Sequence, residues 1–144
     1  MERTLEVIVV PVSDVDRAKE FSTDRCGFRL DIDAPLFEGP RFVQLTPPGS
    51  RCSVVLEAGA PVSPGRPRMA PGSLQGLQLC VTDLDAARDT LVARGVEVGP
   101  VRHAGPSGWA DGRGAEPWNS YLSFRDPDGN GWVVQEAPSP LTRR

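Results

Sequence analysis

A chain of 144 residues with a net charge of -3 has room for one compact domain, or for two half-size modules that share a core. It lacks the basic footprint that nucleic acid requires, and no apolar run approaches the length of a membrane span or a signal peptide, so neither nucleic acid nor a membrane is an expected partner. Its three cysteines, Cys26, Cys52 and Cys80, are widely spaced and match neither a disulfide framework nor a zinc motif, which makes a reducing cytoplasm the expected location.

Leu5 to Val12 reads as a strand, and Ser13-Asp14-Val15-Asp16 follows as a capping-box helix start with the acid three residues after the hydroxyl. In the helix it opens, Val15, Ala18 and Phe21 share one face with Ser22 at its margin, and Gly27 supplies the left-handed stop. Phe28 to Asp33 is a second strand. A turn carrying Pro and Gly leads to a third at Arg41 to Leu45, and Pro47-Pro48-Gly49 leads to a fourth at Cys52 to Ala58. Residues 59–73 are rich in Pro, Gly and Ser without periodicity and read as a linker.

The pattern then restarts. Leu77 to Val81 is a strand, and Thr82-Asp83-Leu84-Asp85 repeats the Ser13 start type for type. Leu84, Ala87 and Leu91 form the apolar helix face, and Gly95 is the stop. Val96 to Val98, Asn119 to Arg125 and Gly131 to Glu136 read as the remaining strands. Between the last two, Asp126-Pro127-Asp128-Gly129-Asn130 combines a preset φ, side chains that cap their own turn and glycine for positive φ, which predicts a hairpin. Matched offsets of cap and core positions mark an internal repeat. The chain is therefore expected to be an α+β protein of two βαβββ modules, 5–58 and 74–137, joined by the linker and followed by a tail at 138–144.

The two helix starts and the closing "FRDPDGNGWVVQE" resemble the vicinal-oxygen-chelate superfamily, which holds glyoxalase I, extradiol dioxygenases, fosfomycin-resistance enzymes and bleomycin-binding proteins. The resemblance implies that each module curls its strands into a half-open sheet with its helix outside, that the modules enclose a cleft, and that the protein pairs as a homodimer. Alternation would then turn Ile8, Val10 and Val12 toward the first helix, and Leu77, Leu79 and Val81 toward the second. Val7, Val9, Val55, Glu57, Gln78, Cys80, Val133 and Gln135 would face the cleft, with Phe42 and Gln44 on the third strand.

Members of that family that do metal chemistry hold the ion through His, Gln or Glu on the first and last strand of each module, because a divalent cation needs several converging donors. The corresponding positions here are Val7, Gly76, Glu57 and Val133, of which only Glu57 carries a donor. No metal and no cofactor is therefore expected. General acid/base chemistry would fall to Glu57, whose burial among valines would raise its pKa, or to the lone histidine, His103. The glycine-rich stretch 101–117 reads as a long loop, and its Trp109, with Trp118 just after it and Tyr121 on the next strand, suits stacking on a flat ligand. Two functions stay open: a protein that binds a small apolar or aromatic molecule without altering it, as bleomycin-resistance proteins do, and a metal-independent isomerase, cyclase or lyase using Glu57 or His103. A third is a glyoxalase or dioxygenase with atypical metal ligands.

Overall fold

The computed structural model of the chain describes residues 1–139; residues 140–144, most of the expected tail, lie outside the described residues. The backbone divides into two compact units, one made of Met1–Leu74 with Asp126–Asn130, the other of Gln75–Arg125 and the segment from Gly131 on. Sheets of four and five strands with two short helices make this an α+β protein, as the sequence predicts. No helix among the described residues is long and apolar enough to cross a membrane.

The first unit contains β1 (Val7–Pro11), α1 (Val15–Glu20), β2 (Arg29–Pro35), β3 (Arg41–Thr46) and β4 (Ser53–Glu57), with the sheet order β1-β4-β3-β2. β1 and β4 are parallel, and the other neighbours are antiparallel. α1 continues into a π-helical turn at Phe21–Arg25. There Ser22 Oγ donates to the carbonyl of Ala18 at 2.8 Å and Thr23 Oγ1 to that of Lys19 at 2.9 Å, and such competition for backbone acceptors favours widening of a helix. Gly27, at φ 73°, ends it as expected. Val10, Val12, Ala18 and Phe21 are buried, together with Val43, Leu45, Val54 and Leu56. Burial of side chains of this size supplies most of the stabilisation, at about 1.5–3 kcal/mol each.

The second unit contains β5 (Leu77–Val81), α2 (Leu84–Ala93), β6 (Arg102–Gly105), β7 (Gly108–Asp111), β8 (Tyr121–Arg125) and β9 (Gly131–Glu136), in the order β5-β9-β8-β6-β7. Its first and last strands, β5 and β9, again run parallel. Leu77, Leu84, Leu91, Leu122, Phe124, Trp132 and Val134 form its buried set. Phe124 and Trp132 sit opposite each other on β8 and β9 with their rings stacked, 6.0 Å between centroids.

Three local expectations are corrected. The N-caps are Asp14 and Asp83, accepting from Arg17 N at 3.2 Å and Ala86 N at 2.9 Å, in place of the hydroxyls of Ser13 and Thr82. A carboxylate at the positive end of a helix gains from the dipole as well as from the hydrogen bond. Val96–Val98 supplies only one bridge, Val98 with Phe124. Stretch 101–117 is largely an antiparallel hairpin, β6 and β7, with Arg102 paired to Tyr121 of β8. Asn119 pins it from outside: its side chain accepts from Ala104 N at 2.8 Å and donates to Ala104 O at 3.0 Å.

The turn Asp126–Asn130 belongs to the first unit, and its hydrogen bonds show why. Asn130 is fully buried. Its amide donates to Pro11 O at 2.9 Å and to Asp126 Oδ2 at 2.7 Å, and accepts from Leu74 N at 3.0 Å. Asp128 accepts from Ser13 Oγ at 2.5 Å and from Ser13 N at 3.1 Å, while Arg17 donates to Pro127 O at 2.6 Å. Gly72, at φ 80°, lies so close that a Cβ there would stand 2.0 Å from Asp128 O.

On the outer surface Arg41 holds Asp33 through Nε and Nη2, both at 2.8 Å, and Lys19 donates to the same carboxylate at 2.7 Å. These bonds, those of Arg41 first, keep the Asp33 carboxyl well below the usual carboxylate range. A carboxyl depressed by folding contributes stability that is complete above its unfolded value, about pH 4, and is lost as pH falls through the lower folded value. Asp33→Asn should therefore flatten the loss of stability below about pH 4, read from urea midpoints across an acid series. Asn130→Ala takes the partner from Leu74 N and leaves Pro11 O with Gly72 N alone, and should cost about 2 kcal/mol in urea unfolding.

Candidate functional site

A concave pocket of about 340 Å3 lies within the second unit, lined by Gln78, Pro100, Arg102, Trp109, Tyr121, Leu122, Ser123 and Val133. The sheet explains the grouping. Gln78 pairs with Val133 across β5 and β9, and Ser123 with Val133 across β9 and β8; Tyr121 pairs with Arg102 across β8 and β6. Directly opposed residues share a face, so the row Gln78, Val133, Ser123 and the row Arg102, Tyr121 floor one concavity. Trp109, 59% exposed on β7, closes one side and meets the Tyr121 ring edge-on, with centroids 5.2 Å apart and planes at 89°. That geometry is favourable for an aromatic pair and leaves ring faces open to a ligand.

Polar atoms are few and fixed. Gln78 Nε2 donates to Gln135 Oε1 at 2.9 Å. Gln135, 6% exposed on β9, donates through Nε2 to Trp118 O at 2.7 Å and to Tyr121 Oη at 3.1 Å. Trp118 holds a positive φ of 68°, a conformation that costs a bulky residue of order 1–3 kcal/mol and persists only where its surroundings impose it. Arg102 lies at the rim, 48% exposed and 3.5 Å from Asp111.

Of the residues expected to bind a ligand, Gln78, Trp109, Tyr121 and Val133 line this pocket, and Gln135 and Trp118 are tied to that lining by the amide bonds. Val7, Val9, Phe42, Gln44 and Val55 lie in the first unit. There Val9, Val55 and Gln44 form one cross-strand row, with Val7 beside Ser53 and Phe42 beside Ala34. Pro100, Arg102, Leu122 and Ser123 went unread. Arg102 becomes visible once β6 is seen to pair with β8, which nothing in the spacing of 101–117 announces, whereas Ser123 follows from its place opposite Val133 in the closing hairpin.

The acid/base candidates have other engagements. Glu57 is 3% exposed; its carboxylate takes the guanidinium of Arg66 and accepts from Val62 N at 3.0 Å. It thereby fastens residues 59–73 to the end of β4. His103 is opposite Ala110 on the hairpin, one residue out of phase with Arg102 and Trp109, and is not part of the pocket lining. Its Nδ1 is 2.9 Å from Gly112 O; a carbonyl only accepts, so Nδ1 carries the hydrogen. Glu136 accepts from Leu84 N at the start of α2 at 2.8 Å and pairs with Arg113, whose pKa it raises.

A divalent ion of the kind the fold can hold finds no fitting donor set. Val7, Gly76 and Val133 have nothing to donate, Glu57 is ion-paired, and the amides of Gln78 and Gln135 are bonded to each other. Among the described residues no cluster of three or more His, Cys, Asp or Glu side chains could hold a metal ion.

Residues 4–134 match the family model described as Glyoxalase/Bleomycin resistance protein/Dioxygenase superfamily. Among solved structures, TnmS3, an antibiotic binding protein from Streptomyces sp. CB03234, is 35% identical, with a TM-score of 0.73 over 94% of this chain and 97% of that one. A glyoxalase/bleomycin resistance protein from the same Streptomyces strain is 36% identical, with a TM-score of 0.70 over 92% and 100%. A member of the superfamily from Sphaerobacter thermophilus DSM 20745 is 30% identical, with a TM-score of 0.71 over 94% and 98%. No match is found among curated proteins. The topology of each unit, the closing turn and these likenesses agree: the chain belongs to the glyoxalase/bleomycin resistance protein/dioxygenase superfamily.

Proposed function

We propose that this protein binds a small, largely apolar or aromatic organic molecule in the pocket of its second unit, without a metal ion and without altering it. The observation that carries this reading is the pocket itself. A concavity of about 340 Å3 is in the range of small-molecule sites, and it combines aromatic and aliphatic walls with a small number of oriented polar groups. The likeness to TnmS3, an antibiotic binding protein, supports sequestration as the role, with an antibiotic-like molecule as ligand. In this reading the protein works as a cytoplasmic homodimer. Cys26, Cys52 and Cys80 are not in disulfides, and Leu30 and Ile32 stand exposed on β2, an edge strand, where pairing with a second copy would bury them.

Binding of flat aromatic compounds, followed by intrinsic tryptophan fluorescence, should survive exhaustive dialysis against a chelator. It should weaken about tenfold in Trp109→Ala, the loss of one partly buried aromatic wall. Restoration of binding only by an added divalent ion would sink the metal-free reading. Glu57→Gln removes one partner of a buried ion pair and should lower stability by about 2 kcal/mol in urea unfolding, while ligand affinity in the pocket stays as in the parent. A Glu57→Gln protein of native stability that no longer turns over a bound ligand would instead favour the acid/base reading.

A further inference from the structure

Resting on the pocket reading above, we infer that the site selects ligands bearing a carbonyl-type acceptor oxygen on a flat aromatic body, and that the hydroxyl of Tyr121 is the group that reads it. The inference follows from the direction in which hydrogen bonds must run. The carbonyl of Trp118 can only accept, so the Gln135 atom 2.7 Å from it is the amide nitrogen. Its oxygen then faces Gln78, and only the nitrogen of Gln78 can bond to it, at 2.9 Å. The second hydrogen of Gln135 Nε2 goes to Tyr121 Oη, 3.1 Å away. Every amide orientation in the relay is set by one backbone carbonyl.

Tyr121 therefore accepts from Gln135. The Tyr121 oxygen uses a lone pair on Gln135, so its own hydrogen is left for another acceptor. A phenol that accepts a hydrogen bond also becomes a better donor. With Tyr121 in the lining, the pocket has an O–H donor among apolar walls, and Gln78 keeps a second N–H. A ligand oxygen with lone pairs satisfies that donor, whereas a bare hydrocarbon leaves it without a partner in a partly dehydrated site. Gln135 is 6% exposed and positions Tyr121 from behind.

The test uses two nearly isosteric flat probes, fluorene and 9-fluorenone, which differ by one carbonyl oxygen. In equilibrium dialysis the parent protein should bind 9-fluorenone about three- to tenfold more tightly than fluorene, the worth of one neutral hydrogen bond. Tyr121→Phe keeps the ring and should erase the preference, with circular dichroism and the urea midpoint reporting that the variant is folded. In the parent complex the infrared carbonyl stretch of 9-fluorenone should move to lower wavenumber than in hexane. Equal affinities for the two probes, or an unshifted carbonyl stretch in the parent, would overturn the acceptor inference and leave the pocket reading standing. A preference that persists in Tyr121→Phe would overturn Tyr121 as the reader. Failure of the parent to bind either probe would overturn the pocket reading itself.

Discussion

In each unit the first strand lies beside the last and runs parallel to it, β1 with β4 and β5 with β9. Parallel neighbours cannot be joined by a tight turn, so a longer crossover must come between them, and here it holds a helix and further strands. Most of the architecture follows from that constraint. It seats both strands at the same end of the chain's return path, and in the second unit it sets Gln78 against Val133 and Cys80 against Gln135. The amide contact between Gln78 and Gln135 is a consequence of this register. A slip by one residue would turn both side chains to the other face.

The same arrangement accounts for the different fates of the two sheets' polar residues. In the first unit Glu57, at the end of β4, is buried and neutralised by Arg66 and a backbone N–H, as a buried carboxylate must be if it stays charged. It acts on the segment that follows it, tying residues 59–73 down. In the second unit the equivalent strand β9 carries an amide, Gln135, that has no charge to neutralise. It can satisfy a backbone carbonyl, a second amide and a phenol at once, which organises a pocket without needing an ion.

Chemistry that depends on a coordinated cation asks for several donors that converge and have no other partner. This chain keeps the superfamily's fold, while Val7, Gly76 and Val133 carry no donor and Glu57 is ion-paired. Fold and chemistry are separable in this way because the strands are held by backbone pairing and apolar packing, which need no metal ligand.

The sequence by itself determined the two strand-helix repeats, the helix faces, the closing turn and the family. These rest on local signals: glycine where positive φ is needed, the paired helix-start motifs and alternation of period two. It also determined that Val7, Gly76 and Val133 bring no donor, because that is a matter of identity. The tertiary structure decided the rest. Whether Asp14 or Ser13 caps α1 depends on Asp128, a residue far along the chain that takes the Ser13 hydroxyl. Residues 102–111 form a hairpin in which Arg102 finds Tyr121 and Asn119 grips Ala104, and a weak local propensity gives no sign of such partners. The amide relay that joins Gln78, Gln135, Trp118 and Tyr121 is assembled by strand pairing, and no pattern along the chain encodes it.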